Sequence, residues 1–337
     1  MSSRWTVATR VVELALEERF TIARETWVSS HNVFVMVRWG DAAGSGEVAP
    51  ADRWGETVSS VVAAIRATDL DELAGPFDLE GLSVLLPPGA ARCALDIALH
   101  DLAASHAGVS LAELLGVGGR VLPPTSVTVP IADVGVMQNR ARLLSDHPVL
   151  KMKVGFDGDV DAVGAVREVF SGALRLDANE GWGPEEATGR LKALEPFDIE
   201  LCEQPIKAGQ HELLRDLTAA TAIPVFADED VTDATGVARL AGVVDGVNLK
   251  LRKAGGIRAT VAAIATARAL DMKVMLGCDL ESGIAATAEA SVAALADYAD
   301  LDGPLLLRSD PWPGVSYDKG IMTLPAGPGL GVEGAPL

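Results

Sequence analysis

Residues 149–154 read Val-Leu-Lys-Met-Lys-Val, a short apolar run that carries two lysines, Lys151 and Lys153. Short apolar runs of this kind are typical of buried β-strands. Side chains alternate along a strand, so Lys151 and Lys153 point to the same side of it. The run therefore predicts a buried strand that presents two ammonium groups on one face.

Similar apolar runs recur after Pro124, about one every 25 residues. The eight runs are Ser126–Val129, Val149–Val154, Leu174–Asp177, Ile199–Glu203, Pro224–Asp228, Val247–Leu251, Lys273–Gly277 and Leu305–Leu307. Helical stretches lie between them, for example Pro184–Leu194, which begins with a proline suited to a first turn, and Ile257–Leu270. Eight strand–helix repeats predict an α/β fold built as a parallel (β/α) barrel.

The residues before the barrel have a different pattern. Trp5–Glu17 and Val33–Trp39 alternate like antiparallel strands, with a polar loop predicted at Phe20–Asn32. Apolar residues at helical spacing follow in Thr57–Arg66 and Ala90–Ala107. This part of the chain is therefore expected to be α+β.

The Gly- and Pro-rich segment 116–124 predicts a boundary between these two patterns. We expect residues 1–120 to form an α+β capping domain and residues 121–310 to form the catalytic barrel. The Pro- and Gly-rich residues 311–337 are expected to return to the capping domain.

Composition restricts the class of protein. A formal net charge of −19 over 337 residues argues against a nucleic-acid partner, which needs a basic surface. Three widely separated cysteines, Cys93, Cys202 and Cys278, predict free thiols in a reducing cytoplasm. No signal-peptide pattern and no uncharged run of 18 apolar residues is found, so we expect no membrane partner.

Charged residues stand at the predicted strand ends, where barrel enzymes carry their catalytic groups. From Lys151 they follow at intervals of 26, 26, 25 and 22 residues, as Asp177, Glu203, Asp228 and Lys250. Each carboxylate alone is explained by a helix cap or a solvated loop. Together, one strand–helix unit apart and inside apolar strands, these residues predict a single site.

The chemistry of that site follows from its donor atoms. Three convergent carboxylates repel one another unless a divalent cation lies among them, and hard oxygen ligands favour Mg²⁺ over Zn²⁺. Lysines on the second and sixth strands approach from opposite sides, and a neighbouring ammonium and metal are expected to lower their pKa. One lysine takes a proton next to a carboxylate and the other returns it on the opposite face. The residues therefore predict a racemase or an epimerase.

The same residues stand in six short motifs. They are Lys151-Met-Lys153, Leu176-Asp-Ala-Asn179, Cys202-Glu-Gln-Pro205, Ala227-Asp-Glu229, Asn248-Leu-Lys250 and Lys253-Ala-Gly-Gly256. Over nearly the whole chain they resemble the enolase superfamily, in its muconate-lactonizing-enzyme subgroup. The resemblance implies a modified (β/α)7β TIM-type barrel with a capping domain built from the N-terminus and the C-terminal tail.

The resemblance also implies roles for individual residues. Asp177, Glu203 and Asp228 are the expected ligands of one Mg²⁺ per subunit, for which Mn²⁺ substitutes. Lys153 and Lys250 are the expected acid/base pair, Lys151 the group that stabilises the carboxylate, and Asn179 and Glu229 residues behind the metal ligands. Lys253 competes with Lys250, but its opposite parity along the strand predicts that it points away from the barrel interior.

The predicted substrate follows from Asp300-Leu-Asp302, expected just before the last strand. An Asp-x-Asp here resembles the pair that holds a free α-ammonium group in the dipeptide (L-Ala-D/L-Glu) epimerases, and carboxylates suit an ammonium donor. Alternative activities within the subgroup are those of o-succinylbenzoate synthase, of a muconate cycloisomerase-type lyase and of N-acylamino acid racemase. A non-catalytic relative would have no need of both lysines.

Specificity is expected from two capping loops, residues 20–32 and 49–56. Arg24 in the first resembles the loop arginine that pairs with a glutamate side chain of the substrate. Asp279 stands where an uncharged residue is expected, and there it repels an acidic side chain or favours a cationic one. Thr128 and Glu281 complete the predicted substrate-binding residues, and the partner is a small molecule. The oligomeric state stays open, a homo-oligomer included.

Overall fold

The computed structural model describes residues 4–334 of the chain. Its strands are β1 (Trp5–Thr21), β2 (Thr26–Trp39), β3 (Ala42–Val48), β4 (Val127–Val129), β5 (Val149–Lys153), β6 (Ala173–Asp177), β7 (Ile199–Glu203), β8 (Val225–Ala227), β9 (Gly246–Leu249), β10 (Lys273–Gly277), β11 (Tyr298–Asp300), β12 (Ser316–Asp318) and β13 (Ile321–Thr323). Its α-helices are α1 (Val58–Ala67), α2 (Leu82–Leu85), α3 (Ala90–Ala107), α4 (Leu111–Leu114), α5 (Val134–Leu143), α6 (Asp159–Arg167), α7 (Pro184–Leu194), α8 (His211–Ala220), α9 (Ala234–Arg239), α10 (Leu251–Ala254), α11 (Ile257–Ala269) and α12 (Gly283–Ala293). Short 3-10 helices cover Asp52–Trp54, Leu70–Glu72, Glu195–Phe197 and Gly303–Leu306.

The strands from β4 to β11 form one parallel sheet in sequence order. A parallel bridge between Thr125 and Ala299 joins the first strand of this sheet to the last, and the sheet curls into a barrel. Helices separate successive strands, as the right-handed βαβ connection requires. The predicted (β/α) barrel is confirmed, and the carboxyl ends of its strands open on one side.

Seven of the eight predicted barrel strands lie where the sequence places them, and the eighth is wrong. Leu305–Leu307 falls largely in the 3-10 helix Gly303–Leu306, in which Leu305 is 43% exposed. Pro304 suits the first turn of a helix and does not suit a central strand. The last strand of the barrel is β11. Asp300 is the final residue of that strand, whereas the sequence predicts that Asp300 precedes it.

The N-terminal sheet is antiparallel, in the order β1–β2–β3. The polar loop predicted at 20–32 is wrong, because β1 and β2 continue through most of it and leave a turn of four residues, 22–25. Phe20 pairs with Trp27 across the two strands, with ring centroids 6.2 Å apart. Cross-strand aromatic pairs stabilise such a hairpin although its outer side chains are polar.

Helix α3 packs directly on β3. A Cβ atom at Gly44 or Gly46 would overlap the carbonyl oxygens of Ala98 and Ala94, so only glycine permits this approach. The buried face of α3 includes Leu95, and the helix lies between the antiparallel sheet and the barrel. The core is thus continuous from the N-terminal sheet into the barrel.

Two late segments of the chain return to the N-terminal residues. Arg308 donates its backbone N–H to the carbonyl oxygen of Ala15 at 2.9 Å, and Leu111 donates to Gly329 O at 2.8 Å. Leu330 N lies 2.7 Å from Asp101 Oδ1 on α3. No helix within residues 4–334 is long and apolar enough to cross a membrane.

Candidate active site

A cavity of about 570 Å³ lies between the N-terminal part of the chain and the carboxyl ends of the barrel strands. The N-terminal side contributes, among others, Phe20, Ile22, Arg24, Trp27, Arg53, Trp54 and Glu56. The barrel side contributes Thr128, Lys151, Lys153, Asn179, Asp228, Glu229, Lys250, Arg252, Lys253, Cys278, Asp279, Asp300 and Asp302. Most of the residues predicted to form one site therefore border one cavity.

Lys151 and Lys153 lie on the same face of β5, as their alternation predicts. Both ammonium groups contact Oδ2 of Asp177, at 3.1 Å from Lys151 and 2.6 Å from Lys153. Lys151 Nζ also lies 2.6 Å from Glu203 Oε2 and 2.6 Å from Asp300 Oδ2, and the residue is only 2% exposed. Lys151 is therefore held on three sides by carboxylates.

Asp177, Glu203 and Asp228 are buried at the ends of three adjacent strands. Burial and the neighbouring Asp177 carboxylate raise the pKa of Glu203 to about 8. Burial opposes ionisation of Asp177 and Asp228 as well, but the surrounding lysines hold the pKa of both below the ordinary value. The three carboxylates thus compete for positive charge.

This donor set fits a hard divalent cation, because it supplies carboxylate oxygens with excess negative charge. In residues 4–334, however, no three such side chains surround one point at metal-coordinating distances. Asp177 and Glu203 turn toward lysine ammonium groups, and Glu203 Oε1 also accepts a hydrogen bond from Asn248 Nδ2 at 2.5 Å. A cation among these carboxylates requires the lysines to give up part of their contacts.

Lys250 follows directly after β9, four strands across the barrel from Lys153 on β5. Its Nζ lies 3.5 Å from Asp228 Oδ2 and 3.7 Å from Asp279 Oδ1. The predicted lowering of the lysine pKa depends on a bound metal ion and stays a prediction. Burial lowers the pKa of Lys250, but Asp228 and Asp279 outweigh it and raise the pKa above the usual value for lysine.

The prediction that Lys253 points away from the interior is wrong. Lys253 Nζ contacts Oδ1 of Asp228 and lies 2.6 Å from the carbonyl oxygen of the same residue. Strand β9 ends at Leu249, and Lys253 lies on the short helix α10, so the alternation of a strand does not apply. Burial lowers the pKa of Lys253 despite this contact.

Asp300 and Asp302 lie at the end of β11 and just after it. Asp300 Oδ1 accepts a hydrogen bond from Ser126 Oγ at 2.5 Å, and Asp302 Oδ2 accepts one from the backbone N–H of Thr128 at 2.7 Å. Burial and the Asp300 carboxylate raise the pKa of Asp302 to about 6. Sequence reasoning missed Ser126, although it begins the first predicted strand.

Arg24 reaches the cavity from the turn between β1 and β2. Its Nη1 lies 2.8 Å from Glu229 Oε1 and donates to the carbonyl oxygen of Asn179 at 2.9 Å. Glu180, which sequence reasoning missed, lies 3.7 Å from Arg24 and 2.6 Å from Arg53 Nη1. Asn179 and Glu180 both have positive φ, at 43° and 66°, and no sequence signal marks such a bend at two non-glycine residues.

Asp279 borders the cavity, but its carboxylate is already paired. Arg252 Nε lies 2.5 Å from Asp279 Oδ2, and Arg252 Nη2 lies 3.3 Å from Asp279 Oδ1. Sequence reasoning also missed Arg252, because an arginine next to two lysines looks like a solvated flank. Glu281 is 4% exposed, accepts a hydrogen bond from Asp279 N at 2.6 Å, and is not among the residues that border the cavity.

The fold and this site together define a barrel enzyme whose lysines and carboxylates meet at the strand ends beneath a separate cap. Two family models match the chain. Residues 5–116 match the mandelate racemase / muconate lactonizing enzyme N-terminal domain, and residues 136–336 match the enolase C-terminal domain-like family. The chain belongs to the mandelate racemase / muconate lactonizing enzyme family of the enolase superfamily.

Characterised relatives are similar over most of their length. The chain is 38% identical over 333 residues to the hydrophobic dipeptide epimerase of Roseobacter litoralis, covering 92% of this chain and 94% of that protein. It is 33% identical over 327 residues to the L-Ala-D/L-Glu epimerase of Bacteroides thetaiotaomicron, covering 95% of this chain and 85% of that protein. The dipeptide epimerase from Cytophaga hutchinsonii, solved with Mg and D-Ala-L-Val, superposes with a TM-score of 0.92 at 31% identity, over 98% of this chain and 95% of that one.

Proposed function

We propose that the protein is a Mg²⁺-dependent epimerase of dipeptides. The observation that carries the proposal is that Lys153 and Lys250 border one cavity from opposite sides of the barrel. Asp228 borders the same cavity, and Asp177 and Glu203 are buried behind it in contact with Lys151. Two bases on opposite sides of one carbon are what inversion of that carbon requires. The names of the relatives support the same reaction class.

The two lysines divide the proton transfer between them. The neutral amine of one lysine takes the proton from the α-carbon next to the substrate carboxylate, so a C–H bond breaks and an N–H bond forms. The ammonium of the other lysine donates a proton to the opposite face of the same carbon. Lys151, buried among carboxylates, contributes a fixed positive charge beside the substrate carboxylate.

The proposed Mg²⁺ ligands are Asp177, Glu203 and Asp228. Asn179 and Glu229 are proposed to lie next to these ligands without binding the cation themselves. Mg²⁺ supplies positive charge that offsets the charge of the substrate carboxylate. The support for these ligands is their burial at adjacent strand ends, since burial and then repulsion by Asp177 raise the pKa of Glu203. We propose one Mg²⁺ per chain, with Mn²⁺ as a substitute because it takes the same oxygen ligands.

Asp300 and Asp302 are the proposed site of the substrate's free α-ammonium group. The backbone N–H of Thr128 holds Asp302, and the carboxylate borders the cavity. Arg24 is the proposed contact for an acidic second residue, which makes L-Ala-L-Glu the first dipeptide to try. Asp279 is neutralised by Arg252, so its charge neither repels that side chain strongly nor attracts a cationic one.

The direct test is α-proton exchange in D₂O with Mg²⁺, followed by NMR, on L,L-dipeptides with acidic, apolar and cationic second residues. Exchange at the α-carbon of the second residue, together with formation of the L,D-epimer, supports the proposal. A matched N-acetyl dipeptide, which has no ammonium group, is the control and is expected to exchange far more slowly. Two results would favour the lyase alternative over the epimerase proposal. One is the absence of exchange with every dipeptide, and the other is turnover of a succinylbenzoate substrate by an Asp302→Asn variant.

The division of the chain and its location are part of the same proposal. Residues 1–120 act as the cap, residues 121–310 as the catalytic barrel, and residues 311–337 as a segment that returns to the cap, of which residues 335–337 lie outside the described part. The free thiols of Cys93, Cys202 and Cys278 support a reducing, cytoplasmic location. Limited proteolysis near residues 116–124 tests the boundary.

A further inference from the structure

The ammonium group of Lys250 is less tightly held than that of Lys153. Lys153 Nζ lies 2.6 Å from Asp177, whereas Lys250 Nζ lies 3.5 Å from Asp228 and 3.7 Å from Asp279. Charged hydrogen bonds usually measure about 2.7–2.9 Å between heavy atoms. The side chain of Lys250 is also 18% exposed, so its ammonium borders the cavity without being locked to a carboxylate.

Arg252 pairs with the same carboxylate, that of Asp279, which lies 3.7 Å from Lys250 Nζ. The planar guanidinium pairs with both oxygens of Asp279, with Nε 2.5 Å from Oδ2 and Nη2 3.3 Å from Oδ1. This two-pronged geometry is specific to arginine and fixes the direction of the carboxylate. Without Arg252, the cation nearest to the buried carboxylate of Asp279 would be Lys250. Lys250 and Asp279 would then form a shorter ion pair.

Arg252 is in turn held by the N-terminal part of the chain. Its Nη1 is buried, has no hydrogen-bond partner within residues 4–334, and lies 3.5 Å from Glu56 Oε2. Glu56 Oε1 accepts a hydrogen bond from the backbone N–H of Ala90 at 2.7 Å, at the start of α3. The guanidinium is therefore fixed between the cap and the loop that carries Asp279.

We propose that Arg252 is a positioning residue for Lys250: by holding Asp279 away, it keeps the Lys250 ammonium free to reach the α-carbon of the substrate. The inference rests on the proposed two-lysine reaction and names the side chain that keeps one of its two lysines available. It also explains why an acidic residue at position 279 is compatible with the site, because Arg252 compensates it on the same wall of the cavity.

The two lysines serve opposite faces of the α-carbon, so a positioning role predicts an asymmetric defect. With the L,L- and L,D-dipeptides measured separately in D₂O, Arg252→Met is expected to slow exchange from one epimer about tenfold or more and to leave the other within about twofold. The double variant Arg252→Met/Asp279→Asn removes the unpaired carboxylate and is expected to restore most of the loss. Arg252→Lys keeps the positive charge but not the planar fork of the guanidinium, and a smaller loss on the same epimer is expected. This variant replaces Arg252→Met if Arg252→Met does not fold.

A second readout does not depend on turnover. Competitive acetylation of lysines, read by mass spectrometry, is expected to show slower labelling of Lys250 in Arg252→Met than in the wild type, relative to the exposed Lys273. Equal slowing of both epimers, no rescue by the double variant, or unchanged labelling of Lys250 would overturn the positioning role. If the wild-type protein exchanges no dipeptide, the result refutes the proposed function and leaves the positioning role undecided by kinetics. The labelling experiment then decides whether Arg252 holds Asp279 away from Lys250.

Discussion

Lys153 and Asp177 are paired in register on neighbouring parallel strands, β5 and β6, and Lys153 Nζ lies 2.6 Å from Asp177 Oδ2. A proposed proton carrier and a proposed metal ligand are therefore fixed on one rigid pair of strands. Lys250, across the barrel, has no such pairing within a sheet. The two lysines that are proposed to serve the same carbon therefore stand on structurally different supports.

The first prediction concerns the division of labour between the lysines. Lys153→Ala and Lys250→Ala are each expected to lower epimerisation about 10²–10⁴-fold, because each removes one proton carrier. Exchange in D₂O is expected to survive from one epimer in the first variant and from the other epimer in the second. Lys192→Ala, on the exposed side of α7, is the control. Loss of exchange from both epimers in both variants would contradict separate roles.

The second prediction concerns the metal. Glu203→Gln is expected to weaken Mg²⁺ binding on the order of a hundredfold, because it removes one of three negatively charged oxygen ligands. Titration calorimetry, or the rise in melting temperature with added Mg²⁺, measures the change. Glu200→Gln on the same strand, whose partly exposed side chain pairs with Arg175, is the matched control. Unchanged Mg²⁺ affinity in Glu203→Gln would place the cation elsewhere.

The third prediction concerns the substrate's ammonium group. Asp302→Asn is expected to raise KM for a dipeptide about 10–100-fold, because it removes one of the charged acceptors at the end of β11. The same change is expected to have a much smaller effect on an N-propionyl amino acid, which carries no ammonium group. The ratio of kcat/KM for the two substrates reports the difference. An equal loss with both substrates would assign Asp302 a structural role through Thr128.

The fourth prediction concerns the side chain of the second residue. Arg24→Met is expected to lower kcat/KM for L-Ala-L-Glu about 10–100-fold and to leave an apolar dipeptide within about threefold, because an apolar side chain makes no ion pair. Steady-state kinetics on the two dipeptides measure the effect. Equal losses on both would show that Arg24 serves the site by supporting Glu229, from which it lies 2.8 Å away.

The fifth prediction concerns pH and stability. Burial raises the pKa of Asp101 in the folded protein to about 6, above the value near 3.9 of an unfolded chain. The fold therefore favours the protonated acid, and this stabilisation is present at low pH and is lost as pH rises through 6. Relative to Asp101→Asn, which cannot ionise, the free energy of unfolding of the wild type is expected to fall by about 1 kcal/mol between about pH 5 and pH 7.5. Denaturant titrations in a metal-free buffer measure it, and parallel pH curves for the two proteins would contradict the assignment.

The site was predictable where regular strands carry it. Asp177 and Glu203 end strands of a parallel barrel, so one repeat length was enough to place them together. The resemblance added Asp300 and Asp302, although the strand that presents them was assigned to the wrong residues. Tyr298–Asp300 is short and carries a charge, whereas Leu305–Leu307 is apolar, and burial of a three-residue strand cannot be read from hydrophobicity alone.

The rest of the site depends on contacts that a linear pattern does not encode. Lys253 enters the site because the chain turns into α10 after Leu249, and Arg252 pairs with a residue 27 positions away. Glu180 meets Arg53 from a distance of 127 residues. Such pairs join loops and single helical turns that are too short to show the period of a strand or of a helix.

The contact of Leu330 with Asp101 joins residues 229 positions apart, and Gly329 receives the N–H of Leu111 beside it. The ribosome therefore synthesises α3 long before Gly329 and Leu330. Every barrel strand has been synthesised by the time these two residues emerge. Helix α3 therefore acquires its full set of described contacts only after every barrel strand has been synthesised.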